Sequence, residues 1–252
     1  MAPGSVQNVV ILAARSTIGQ AVADRVLKSG GRVALIGRDL SGITTDAASF
    51  ATVCDLTDFD AVSDAIGEAS EALGGLTGVV NCAGSILLKP AHQSTRKDYN
   101  VTLDANLATA FATVRASAKH LVPSGGSVVL VSSAAATLGM PNHELIGAAK
   151  AAVEGLMRSA AATYAPRALR FNAVAPGLVA TSLSEPLRAN SASLKVSESL
   201  HPLGRIGNPI EVASAICWLL DPEQSWVTGQ IIGVDGGLSH VQPRPKIGVV
   251  KP

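Results

Sequence analysis

The stretch "NVVILAARSTIGQAVADRV", residues 8–26, decides the fold. A short β-branched apolar run, residues 8–12, passes through a tight turn into a longer alanine-rich stretch of helical period. The same alternation continues along the chain. Further apolar runs lie at residues 32–36, 51–54, 77–81, 127–131, 169–174 and 230–234, with helix-periodic segments between them. Strands that are continuously apolar bury both faces, so they predict a parallel sheet covered by helices on each side. That is a doubly wound α/β fold, and ligands of such sheets bind beyond the carboxyl ends of the strands.

The chain has 252 residues, 47% of them hydrophobic, enough for one large domain with a core of about residues 7–238. Lys and Arg total 20 against 19 Asp and Glu, so no charge excess points to nucleic acid or an anionic membrane. Small-molecule chemistry is the expectation. The three cysteines, Cys54, Cys82 and Cys217, are scattered, and no secretory leader is expected, which fits a reducing cytoplasm. The apolar runs are far shorter than the roughly 20 residues that cross a bilayer, so a soluble protein is expected. None of the five histidines stands at metal-ligand spacing, and no metal is expected.

Two segments break the rhythm. "TSLSEPLRANSASLKVSESLHPLG", residues 181–204, is rich in Ser with weak periodicity. It reads as a long irregular insertion, either a substrate lid over about residues 180–203 or a tolerated surface excursion. The tail, residues 239–252, is Pro-rich and basic, and such tails fray.

The turn "LAARSTIGQAVADRV" is of the kind that aims helix N–H groups at a pyrophosphate. It resembles the turn of the short-chain dehydrogenase/reductase family, which usually reads TGxxxGxG. Aligned on Gly19, the family's first glycine is Ala13 and its middle one Thr17, with Arg15, Ser16 and Ile18 between. The likeness extends further. "CDLTD" puts Asp55 and Leu56 where the family contacts adenine, and "NCAG" puts Asn81, Ala83 and Gly84 at its NNAG strand end. Asn81 reads as a structural brace. "APGLVAT" supplies Pro176, Gly177, Val179 and Thr181 beside the nicotinamide, and "PLGRIGNPIEVA" and "VTGQIIGVDGG" complete the pattern. From about Val9 to Gly237 the resemblance therefore implies a single-domain Rossmann-like fold. It also implies a nicotinamide cofactor.

Which nicotinamide follows from "VALIGRD". Gly37 stands where NAD-preferring relatives place an acid, and Arg38 follows it. A guanidinium there suits a 2′-phosphate through bidentate, charge-assisted bonds, and Arg15 offers a second. NADP(H) is favoured over NAD; the other reading makes both arginines solvated surface charges.

At the chemical end the resemblance implies an Asn, Ser, Tyr, Lys constellation. "DANLATAF" supplies Asn106, "VLVSSAAA" supplies Ser133, and "NHELIGAAK" supplies Lys150, but the tyrosine position holds Ile146. Isoleucine has no proton to give, and a positioned general acid is worth roughly 10² to 10⁴ in rate. Of the only two tyrosines, Tyr99 precedes the helix bearing Asn106 and Tyr164 lies more than three helical turns beyond Lys150, so neither is expected to reach the place and both read as packing residues. His143 is expected on one helical stripe with Ile146 and Lys150, from which it can supply the proton. The other reading makes it a first-turn residue behind an Asn142 N-cap, with Glu144 complementing the helix N-terminus.

Three functions follow. One is an NADP(H)-dependent oxidoreductase of a carbonyl or hydroxyl small molecule, with another group or water in place of the tyrosine. Another is a non-redox relative, an isomerase, cyclase or lyase, using Ser133 and Lys150 to polarise a carbonyl. The third is a catalytically silent scaffold. Family analogy implies a homotetramer or homodimer, with the alanine-rich helix around Lys150 at one interface.

Overall fold

The computed structural model describes residues 7–44, 46–121 and 125–242. Seven strands form one sheet: β1 (Asn8–Leu12), β2 (Arg32–Gly37), β3 (Phe50–Val53), β4 (Gly78–Asn81), β5 (Gly126–Val131), β6 (Leu169–Pro176) and β7 (Ile231–Val234). Every pairing is parallel and the order is β3-β2-β1-β4-β5-β6-β7. All seven runs predicted from the sequence are strands, with ends displaced by a residue or two. The order reverses between β1 and β4, and there the carboxyl ends of the two strands splay their loops apart into a crevice.

Alternation along the strands sorts the core into two layers. Val10, Leu12, Ala34 and Ile36 face one side and pack against Val62, Ile66, Val114, Val153 and Met157. Those partners lie on α2 (Phe59–Leu73), α4 (Thr109–His120) and α5 (Glu144–Tyr164). Val9, Ile11, Val33 and Leu35 face the other side, against Val22 and Val26 of α1 (Thr17–Lys28) and Val212 and Ile216 of α8 (Pro209–Leu220). Helix ends carry their own signals. Ser16 caps α1, Asp58 caps α2, Thr95 closes a capping box on α3 (Arg96–Leu103), and Asn208 does the same on α8 with Pro209 at its first position.

Three expectations are corrected. The segment after β6 is not an irregular insertion: it forms α6 (Glu185–Arg188) and α7 (Ser191–Leu200). Asn190 nucleates α7 by accepting the N–H groups of Ala192 and Ser193. No residue of α7 is buried, which is why its periodicity is weak. Asn142 is not the N-cap of α5; its φ of 64° is left-handed, and His143 occupies the cap. Tyr99 is not a packing residue, because its ring is half exposed under the Arg96 guanidinium, 5.4 Å from the ring centre. Tyr164 does pack, against Phe171 at 5.6 Å. Residues 243–252 of the tail lie outside the described residues.

Candidate active site

The turn after β1 keeps its shape without its first glycine. Ala13 adopts φ 55°, a left-handed conformation that costs a non-glycine residue about 1 kcal/mol. Ser16 N–H donates to the Ala13 carbonyl at 2.9 Å, and Ser16 Oγ accepts from Gly19 N–H at 3.0 Å. Gly19 has no substitute here. A Cβ on it would lie 2.9 Å from both the Ala13 oxygen and Ser16 Oγ. At Thr17, the hydroxyl accepts Ser182 N–H at 3.2 Å, tying the start of α1 to the segment leading into α6.

Across the crevice, β4 runs out into Asn81, whose Oδ1 accepts Ala83 N–H at 2.7 Å and braces the loop. A Cβ at Gly84 would stand 3.1 Å from Asn106 Oδ1 and 3.3 Å from Lys150 Nζ. The helix start, the bare backbone at Gly19 and Gly84 and the splayed strand ends are a cradle that fits a nicotinamide dinucleotide. Leu56 contributes less than expected, since its side chain is committed to the core. Asp55 spends its carboxylate on Thr57 N–H and the Thr57 hydroxyl, at 3.0 and 2.9 Å. Those bonds, with the field of Arg38, hold its carboxyl below the usual range. Arg38 is exposed and has no ion-pair partner among the described residues. Arg15 is different: its guanidinium donates to Asp39 Oδ2, so it is not the free second cation expected from the sequence. Asp39 sits just past the end of β2, opposite the turn, and opposite charges there pair.

Lys150 stands on the buried side of α5 with its Nζ donating to the Val131 carbonyl at 2.8 Å. It is 6% exposed, and burial pushes its ammonium down to about 8. Cys82 beside it is a neutral thiol, raised by burial to about 12. One turn further along α5, buried Glu154 accepts the Ser132 hydroxyl at 2.8 Å, with Arg158 3.9 Å from its other oxygen. This tie locks α5 to the end of β5. Asn106 lies in a π-helical turn, Asp104–Ala108, wedged between α3 and α4. Its amide donates to the Thr102 carbonyl at 2.9 Å and to Ser85 Oγ at 3.0 Å, while its Oδ1 accepts Ser85 N–H at 3.3 Å. Such single-turn π bulges gather at functional sites.

Ser133 Oγ accepts Ala135 N–H at 3.2 Å, which leaves its proton free to point into open space. That space is a pair of cavities. One of about 630 Å³ runs under α7, and one of about 150 Å³ reaches back past Gly84 to Ser16 and Lys150. Ser133, Ile146 and Gly177 line both, so the two meet at the junction of β5 with α5. His143 lines only the larger. It is not a member of a helical stripe, because it precedes the helix; its Nδ1 bonds the Pro141 carbonyl at 2.8 Å, which leaves Nε2 for a ligand.

After β6, which ends at Pro176, buried Val179 pairs with Gly207, and Thr181 bonds Ser184 at the edge of the smaller cavity. His201 supports this loop: Nε2 accepts Leu178 N–H at 3.2 Å and Nδ1 donates to the Ser197 carbonyl at 2.6 Å. A Cβ on Gly177 would come within 2.6 Å of that ring. His201, Ser85, Ser184, Glu154 and the Val131 carbonyl carry no local sequence signal, because each acts on a residue remote in the chain. No group of three His, Cys, Asp or Glu side chains able to hold a metal occurs among the described residues. No helix there is long and apolar enough to cross a membrane.

Known proteins share this fold. The profile of a family described as enoyl-(acyl carrier protein) reductase matches residues 12–239. A tropinone reductase homolog of Arabidopsis thaliana is 34% identical over 232 residues, covering 88% of each chain. The structure of ligand-free aldohexose dehydrogenase from Thermoplasma acidophilum superposes with a TM-score of 0.87 at 30% identity, covering 95% of this chain and 97% of that one. ElxO with NADP bound superposes at 0.85 with 27% identity, covering 93% and 99%.

Proposed function

The chain belongs to the short-chain dehydrogenase/reductase family, and from that membership we propose that it is an NADP(H)-dependent oxidoreductase of a small carbonyl or hydroxyl compound, with Ile146 where the family keeps its tyrosine. One observation carries the reading: Ser133 and Ile146 form the shared wall of a cofactor-side and a substrate-side cavity, with Lys150 buried behind them. The unpaired Arg38 at the end of β2 supports NADP(H) over NAD.

A nicotinamide dinucleotide held by the Ser16–Gly19 turn and the backbone at Gly84 would supply the hydride chemistry of a carbonyl–alcohol interconversion. Ser133 orients the carbonyl oxygen by donating its free proton. Lys150, held by the Val131 carbonyl, lends positive charge near the developing oxyanion and holds the ribose. Asn106, fixed by Ser85 and Thr102, shapes the wall that keeps Lys150 in place. Ile146 gives no proton, and His143 Nε2 or a water in the larger cavity supplies it. The α6–α7 segment acts as the lid. On the outward side of α5, Ala148, Ala151, Gly155 and Ala162 are exposed, which supports pairing with a second copy in a homodimer or homotetramer. Three free cysteines fit a reducing cytoplasm.

The test is titration of the purified chain with NADPH and NADH, followed by a carbonyl panel read as NADPH consumption. NADPH is expected to bind more tightly, and Ile146→Tyr to raise carbonyl reduction by about an order of magnitude or more. An unchanged rate in a folded, NADPH-binding variant would break the assignment of position 146. The presence of Ile146 also favours a second reading, a non-redox isomerase, cyclase or lyase on the same scaffold. Substrate conversion with no change in NADPH absorbance distinguishes it, and failure to bind either nucleotide leaves only a scaffold.

A further inference from the structure

We propose that the substrate is an uncharged, largely apolar ketone or secondary alcohol, held lengthwise under α7 with its one polar group at Ser133. This rests on the oxidoreductase reading of the same cleft. The 630 Å³ cavity is large enough for a ligand well beyond a simple sugar or hydroxy acid, within the roughly 300–1,000 Å³ of small-molecule sites. Among the described residues its wall contains no Asp, Glu, Lys or Arg. Ile86, Leu88, Met140, Leu187, Val196 and Leu200 supply the apolar surface.

Several polar groups in that wall are already committed, while the Ser133 proton and His143 Nε2 stay available near the reaction centre. Asn190 Oδ1 caps α7, the Ser197 hydroxyl donates to the Ser193 carbonyl, and both nitrogens of His201 are bonded within the protein. His143 has one nitrogen spent on Pro141. The lysine nearest the reaction centre, Lys150, does not line this cavity and is bonded to Val131. A carboxylate, phosphate or ammonium on the distal part of a ligand would lose its water and meet no counter-charge, a heavy penalty. An apolar body meets the opposite situation. Val196 and Leu200 are 59% and 55% exposed on a helix that buries nothing, and a ligand beneath them removes that apolar surface from water.

The experiment uses the full chain and the uncharged fluorescent probe N-phenyl-1-naphthylamine, displaced by benzylacetone or by its para-carboxylate, with and without NADPH. Benzylacetone is expected to displace the probe at about tenfold lower concentration than the carboxylate, since one unpaired buried charge outweighs the small energy that a tenfold ratio represents. Val196→Lys, on a helix with no buried residue, is expected to narrow or reverse that ratio by supplying the missing counter-charge. Equal displacement, preference for the carboxylate, or no uptake of the probe would each overturn the proposal. Probe displacement needs no turnover, so the two readings fail separately. NADPH consumption confined to carboxylated ketones sinks the substrate class alone, whereas neutral-ketone binding without NADPH binding sinks the oxidoreductase reading alone.

Discussion

The junction of β5 with α5 and the segment of α6 and α7 face each other across one cavity, yet they are built by opposite rules. In the first, Val128, Val129 and Leu130 are fully buried, α5 packs along the sheet, and Lys150 and Glu154 are bonded to the strand end and its loop. In the second, α7 buries no residue, and its apolar side chains look onto open space. The difference teaches where precision and where selectivity reside. On the proposed reading, the groups that hold the reacting oxygen stand on elements whose displacement would expose core, while those that meet the rest of the ligand stand on a helix with no buried residue.

The largest expected effect breaks or upholds that contrast directly. Leu130→Ala leaves a cavity in the sheet core and is expected to cost about 2–5 kcal/mol in urea unfolding, against no more than about 0.5 kcal/mol for Leu200→Ala on α7. Similar costs at both positions would mean that α7 is as much part of the fold as β5.

Next in size is the buried cation. Burial lowers the Lys150 ammonium from 10.5 to about 8, with Cys82 the one titratable neighbour that opposes the shift. Between those two values the unfolded chain still holds the proton that the folded chain has released, so stability contributed at this position rises with pH in that window. Relative to Lys150→Met, the wild type is expected to gain stability on the order of 3 kcal/mol as pH rises from about 8 to above 10, measured by urea unfolding. A constant difference across the window would show that Lys150 is solvated in the folded chain. The same variant is expected to lose about 10²-fold or more in NADPH-dependent turnover, by removal of a preorganised charge.

The smallest effect sharpens the cofactor side of the comparison. Ala13→Gly relieves a left-handed φ and is expected to stabilise the chain by about 0.5–1 kcal/mol, seen as a small rise in melting temperature. A loss of stability would mean that the Ala13 methyl group makes packing contacts worth more than the strain.

The sheet and its crevice were legible residue by residue. Runs such as "NVVIL" and "SVVLV" are apolar on every position because both faces are covered, and that requirement is local enough to read. Gly19, Ser133 and Lys150 could be located because the strand-to-helix turn and the helix period tie each to an element end. The segment after β6 was not legible as helix, since α7 carries a cap at Asn190 but no core-facing stripe. Arg15 looked free because its partner, Asp39, stands 24 residues away on another loop. His143 looked helical because the left-handed turn at Asn142 that ends the preceding loop depends on backbone context.

By itself the sequence determined the layering of the domain, the strand-to-helix turn at Gly19 and the isoleucine at position 146, all of which follow from residue type and short-range period. Only the tertiary structure decided that Lys150 would be desolvated against Val131, that a π turn would aim Asn106 at Ser85, and that two cavities would meet at Ile146. Those outcomes come from contacts between segments far apart in the chain, whose geometry is set when helices and sheet pack and is written in neither partner alone.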